Sequence, residues 1–370
     1  MQIDFHHAVT YVVARLAGFD QAKADTIAYC AQYVDDATNS GLIRFDNNAM
    51  YSRISSAHRM LDYRNFDALA NHHVWLPFHF LPGNGGLEAG RNPDGSFIEK
   101  IICRPNSPVA QDMVRACIED ADAAYGLHRL GVTMHVYADT WAHQGFAGVN
   151  HKVNDIRTLD DADEPDAGLF ARLRDYFGDK FDQAAGKFVG DAMPLGHGAV
   201  LSYPDRPWLK WRYRNHNGRV TERNNTQDFI EAADAMCKAM RRFRLGDAEA
   251  AVDGLPAGDK EKIEGLLRDI RDNSGDDRHG AWMQRIADGH FSFGAETITY
   301  PGRGTTRGKG QGSWKEKALG TRRASDTGDE VFPYRPEFLT SDWKLFHDAI
   351  QAHRFAIIHD ILPRYGICAA

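Results

Sequence analysis

The run Leu127–Gly148, LHRLGVTMHVYADTWAHQGFAG, carries the residue types that do chemistry at a spacing that lets them act together. No helix breaker stands between Val132 and Gln144, so this stretch is expected to be helical. His135, Asp139 and His143 recur at i, i+4 and i+8. Each is turned about 40° from the last, so the three lie along one narrow stripe, with His128 on the same stripe. Neutral imidazole nitrogen and carboxylate oxygen are ordinary zinc ligands, and an Asp between two His can bridge two ions. The other use of such a ladder is a solvated face of i,i+4 pairs. Here the neighbours Met134, Val136, Tyr137, Trp141 and Phe146 make the helix apolar nearly all round, the pattern of a buried helix. Buried charges need partners or a metal. The ladder therefore reads as metal-ligating.

Other elements must bring further ligands to it. Residues 5–17 read as an apolar helix stopped by Gly18, and Asp20 caps a second helix from Gln21 to about Asp36. On that helix Ala24, Ala28, Ala31 and Asp35 share a face, small enough to admit a close neighbour and a ligand beside Asp35. Asp35 and Asp36 end the helix where acids oppose its dipole, a placement that a cation relieves. Asp4, His6 and His7 open the first helix as candidate ligands. His79, between Phe78 and Phe80, is a polar group in an apolar wall, and Pro77 and Pro82 are expected to break any helix there. Further on, His151 and Asp155 repeat the i,i+4 spacing. His197 stands between two glycines that allow close approach of another group, and Asp205 sits in a Pro-Asp-Arg-Pro turn.

Helices are also expected over Ser52–Leu61, Val109–Asp122, 168–188, 226–245, 258–272, 279–289 and 341–360, with loops at 45–48 and 83–108 and an acidic loop at 157–168. His347, Asp348, His353, His359 and Asp360 are spread round the last helix and read as structural. Strand patterns are short and few. The expected fold is all-α, a multi-helix bundle enclosing a metal cluster, in a single domain over 1–370 with long loops. Residues 302–323 hold seven Lys/Arg, one Glu and six Gly, a flexible basic loop reaching to about 330. It is either a plain surface insertion or an anion-binding lid. In the second case Arg303, Arg307 and Lys309, with His128, would bind substrate and Trp314 would give an apolar contact.

Composition narrows the function classes. With 43% hydrophobic and 26% charged residues, the 370-residue chain is that of a soluble globular protein. No run of eighteen apolar residues offers a membrane span. The start, MQIDFHHAVTYVVARLAG, lacks a basic region ahead of an apolar run and does not read as a secretory signal. The expectation is a cytoplasmic protein, or one exported without a cleavable signal, that keeps Met1 ahead of the large Gln2. A net charge of −7 argues against a stable nucleic-acid complex. Five cysteines, an odd number with no CxxC pair, argue against a disulfide framework or cysteine-held zinc. Any metal falls to the 17 histidines and the acids. No internal repeat, Walker motif, GxSxG or helix-opening GxGxxG is present.

A His near the start, an Asp ending the second helix and a later HxxxD followed shortly by His resemble the zinc-dependent phospholipase C and single-strand-specific zinc nuclease superfamily. The resemblance covers about the first 210 residues and implies an all-helical fold around three zinc ions. It would make His135 and Asp139 the HxxxD pair with Asp139 bridging, put His143 on a further ion, and match His6, Asp35 or Asp36, and His79 to earlier ligands. The family's first ligand is the amine of an N-terminal Trp; here either the Met1 amine or Asp4 would take that place. Three residues separate Asp139 from His143, where the family has five, and its closing HxxxD/E is met only by His151 with Asp155, or by His197. The whole chain is also similar to a bacterial family of uncharacterised proteins with the same DFHH, VDDA, PFHFLPGN and HVYADTWAHQGF stretches, which implies no activity.

The reading is a metal-dependent phosphoesterase holding two or three zinc ions, or other divalent metals, with Asp35 or Asp36 as base. The substrate would be a phosphate ester, with a phospholipid favoured by the aromatic stretches at 75–81 and 194–213. The alternatives are a nuclease of that superfamily, a non-enzymatic helical binding protein with structural metal, and an iron enzyme on a helical bundle, the last disfavoured by the scarcity of Glu-x-x-His pairs.

Overall fold

The computed structural model describes residues 1–58, 68–161, 195–197, 200–301, 310–323, 326 and 328–369. The expected helix at 168–188 and the candidates Arg303, Arg307 and Lys309 lie outside these.

A π-helical turn, Asp4–Val9, leads into α1 (Thr10–Leu16), and Asp20 caps α2 (Gln21–Asp36) by accepting from the Lys23 amide. After α3 (Ala68–Phe78) and the single turn α4 (Ile98–Ile101) come α5 (Pro108–Glu119), capped by Ser107, and α6 (Gly126–Ala142). The second half adds α7 (Asn225–Leu245), α8 (Ala257–Asp269), α9 (Gly275–Ala287), the short α10 (Trp314–Leu319) and α11 (Asp342–Phe355). Helix α6 is the central element, packed by α2, α5, α7 and α11. Gly131 makes the α2 contact close: a Cβ there would stand 2.5 Å from both Ile27 O and Cys30 Cβ.

The all-α expectation is overturned: helix makes up 53% and strand 10%, the strands among the described residues forming two three-stranded sheets, so the fold is mixed α and β. In the first sheet β1 (Gly41–Phe45) pairs antiparallel with β2 (Met50–Arg53) and parallel with β6 (Val331–Phe332). In the second, β4 (Lys210–Asn215) lies between β3 (Ile156–Asp161) and β5 (Val220–Asn224), all antiparallel. The physical cause is alternation. Along Lys210–Arg214, Trp211 and Tyr213 are buried while Lys210, Arg212 and Arg214 are exposed, and the polar 215–218 turn closes the hairpin.

Three other expectations change. Ser52 and Arg53 belong to β2, so no helix begins at 52. Residues 156–161 of the expected acidic loop form β3. Pro77 lies inside α3, in its last turn, and the helix ends one residue later. The core has three parts. One surrounds α1, α5, α6 and α7; one lies beneath the first sheet around Tyr29, Phe45 and Trp343; the third joins Phe80 and Phe146 to Trp211 and Tyr213.

Candidate metal centre

Helix α6 presents His135 and Asp139 one turn apart, and His143 follows as its C-cap. All three are buried, Asp139 to 1% exposure. The groups that converge on Asp139 come from α6 and its cap, from the N-terminal stretch and from the end of α3. Its Oδ1 is 2.6 Å from the Met1 amine and 3.3 Å from His6 Nε2; its Oδ2 is 3.3 Å from His135 Nε2, 3.5 Å from His79 Nδ1 and 3.6 Å from His143 Nδ1. Asp35, from the end of α2, stands 3.9 Å from both His79 Nδ1 and His135 Nε2. On the other side Asp205 lies 3.2 Å from the Met1 amine and 3.9 Å from His143 Nε2 and His197 Nε2.

Among the described residues these side chains form three groups with ligand atoms close enough to hold an ion, the first two sharing His135: His6, Asp35 and His135; His79, His135 and Asp139; His143, His197 and Asp205. The imidazoles are oriented as ligands are. His135 Nδ1 donates to Ala31 O, His79 Nε2 to Ser56 O, His143 Nδ1 to His79 O and His197 Nδ1 to Leu201 O. A carbonyl can only accept, so each of these bonds fixes the tautomer and leaves the other nitrogen bare. For His79, His135 and His197 the bare nitrogen is the one that faces the acids, and for His143 it faces Asp205. Both nitrogens of His6 are buried without a hydrogen-bond partner among the described residues. A divalent ion fits these donors.

The electrostatics agree. Burial, reinforced by the charges of His135 and the amine, lowers His6 to about 4. Burial likewise takes His197 to about 4, against the pull of Asp205. Burial also lowers His79. Burial alone would raise Asp139, but His143, the amine, His135 and His6 outweigh it and hold its carboxyl well below the usual range. Asp205 is lowered in the same way, burial being overcome by the amine, His197 and His143. For the amine, burial works downward, and Asp139, Asp205 and Asp35 overcome it to reach about 11. Without a metal, then, carboxylates and amine are charged while His6 and His197 are neutral.

Not every candidate from the sequence joins this centre. Asp4 is turned away and takes both ends of the Arg278 guanidinium fork, at 2.6 and 3.2 Å. His7 faces His279 at 2.9 Å, because adjacent helical residues point about 100° apart. Asp36 is separated from Asp35 for the same reason; its Oδ2 accepts from Tyr300 and Gln32. His128, two turns before His135, pairs with Asp342 at 2.9 Å. His151 caps the Val153 amide instead of facing the ladder. Trp314 stacks on Tyr29 at 3.8 Å inside the second core and is no lid. Conversely, Asp205 belongs to the centre although an acid in a Pro-rich turn looks ordinary. Its signal was its place eight residues after His197.

The chain belongs to DUF6765, a family of unknown function, whose profile matches residues 1–361. No curated protein and no solved structure matches it. No helix among the described residues is long and apolar enough to cross a membrane.

Proposed function

We propose that this member of DUF6765 is a metal-dependent phosphoesterase that holds two or three zinc ions and hydrolyses a phosphodiester. The observation that carries the reading is Asp139, with both carboxylate oxygens shared among the Met1 amine and four imidazoles in a buried site. One carboxylate placed among so many nitrogens is suited to bridging ions. The ions would be held by His6, Asp35, His79, His135 and Asp139 on one side and by His143, His197 and Asp205 on the other, with the amine between. When bound, such ions supply Lewis acidity for a phosphoryl group and acidify water.

The chain's own residues do the rest. Asp35 is 32% exposed, whereas His6, His135 and Asp139 are sealed, so a substrate would enter past Asp35. A purely structural site would be closed all round. Asp35, held below the usual carboxylate range by His135, His6 and His79 against the opposing effect of burial, is charged at neutral pH. It would accept the hydrogen bond of the attacking water and orient it. Water adds to phosphorus, the ester P–O bond breaks, and the alcohol leaves with a proton. Asp36, bound to Tyr300, takes no part.

The aromatic residues that favoured a lipid, Phe80, Trp211 and Tyr213, are buried in a core of their own. The recognised group is therefore the phosphodiester itself, with a phospholipid as the first substrate to try and single-stranded nucleic acid as the second. The test is zinc-loaded protein offered bis(p-nitrophenyl) phosphate, phosphatidylcholine and a single-stranded oligonucleotide. Turnover that disappears in Asp35→Asn supports the reading; turnover of none of them by a zinc-loaded protein contradicts it.

A further inference from the structure

We infer that Arg278 is a positioning residue of this centre, holding the Met1 amine and His6 in register with Asp139 and Asp205. The inference rests on the metal reading above and extends it to a residue that touches none of the groups gathered in the centre. Arg278, on α9, is 1% exposed. Its Nε and Nη2 donate to the two oxygens of Asp4, Nη2 also reaches Gln2 Oε1 at 2.9 Å, and Nη1 donates to Asp272 O at 2.6 Å. Gln2 and Asp4 flank the chain between the two donors, so a planar fork on both fixes that stretch in direction as well as place.

The same guanidinium lies 5.3 Å from the ring centroid of Trp208, three residues beyond Asp205. Arg278 thus touches the segment that carries the amine and the segment that carries Asp205. Two neighbours tighten the clamp. His279 meets His7 at 2.9 Å, and Gly275 lies so close to Gln2 that a Cβ there would stand 2.5 Å from Gln2 Oε1. A buried ion pair adds little net stability over apolar residues of the same size, because desolvation offsets the attraction. What a bidentate buried pair does give is a single geometry. The Met1 amine and His6, on one short stretch, need that geometry to meet Asp139 and Asp205 together.

The test compares zinc content, chelator competition and the visible spectrum of the cobalt-substituted protein for wild type, Arg278→Met, Arg278→Lys and Asp4→Asn. Arg15→Met, which removes a partly buried guanidinium paired with Glu296, serves as the stability control. The expected result is that Arg278→Met loses about one zinc equivalent or binds it at least tenfold more weakly, with a shifted cobalt spectrum. Arg278→Lys should recover part of both, and the control should keep the wild-type zinc content and spectrum. If Arg278→Met does not fold, Asp4→Asn, nearly isosteric, should show the same loss to a smaller degree. Full zinc and an unchanged cobalt spectrum in a folded Arg278→Met or Asp4→Asn would overturn the inference. A wild-type protein without zinc would instead overturn the metal reading, and the inference with it.

Discussion

The α-amino group of Met1 stands 2.6 Å from Asp139 Oδ1, an ion pair in which the amine is wholly buried and the carboxylate 1% exposed. Asp139, Asp205 and Asp35 raise this amine to about 11 against the effect of burial, so in the metal-free protein it carries its proton at neutral pH. A metal ion accepts only the neutral amine. Zinc binding should therefore release at least one proton per chain at pH 7–8, and affinity should rise with pH. Calorimetric titrations in buffers of different ionisation heat measure this directly. Zinc uptake without proton release would remove the amine from the ligand set.

The contact between α2 and α6 sets the distance from Asp35 to His135. Because a Cβ on Gly131 would meet Ile27 O and Cys30 Cβ at 2.5 Å, Gly131→Ala must push the helices apart. The expected cost is about 1–3 kcal/mol, as for other overpacked cores, together with weaker zinc binding. Urea unfolding and zinc titration of the same variant report the two effects. A less stable variant with unchanged zinc affinity would show that the ligand distance is set elsewhere.

His353, which is outside the proposed ligand set, gives a second pH dependence. Its Nε2 donates to Pro77 O at 3.0 Å, and burial, helped by the charge of Arg129, lowers it to about 3. The unfolded chain takes up this proton near pH 6.5, while the native protein does so only near 3. Its contribution is thus fully present above 6.5 and is lost as pH falls toward 3. In that window wild type should lose stability faster than His353→Gln by about one proton, or ~1.4 kcal/mol per pH unit. Parallel plots of unfolding free energy against pH for the two proteins would contradict this.

Much of the centre was legible because helical spacing is rigid. His135, Asp139 and His143 share a stripe wherever the helix lies, and the small face of α2 pointed to a close neighbour; His135 now bonds Ala31 O on that face. Adjacent pairs were not legible. Choosing His6 over His7, or Asp35 over Asp36, needs the rotation of the helix about its axis, which distant packing decides. The Met1 amine and Asp205 depend on where a chain end and a loop are anchored, and Arg278, which anchors the first, is 274 residues from Asp4. The strands were missed for another reason. The aromatics of 208–213 were read as the border of a substrate site, although Trp211 and Tyr213 alternate with exposed charges across a polar turn, the signature of a hairpin.

The central claim is tested most directly by elemental analysis of the purified protein beside its Asp139→Ala and His135→Ala variants, with circular dichroism to confirm folding. Wild type should hold two or more zinc equivalents per chain, and both variants should lose zinc while the helical spectrum persists. A wild-type protein that carries no divalent metal and takes up none from buffered zinc, with both variants equally folded, would contradict it. The cluster would then be a buried polar network in a binding protein.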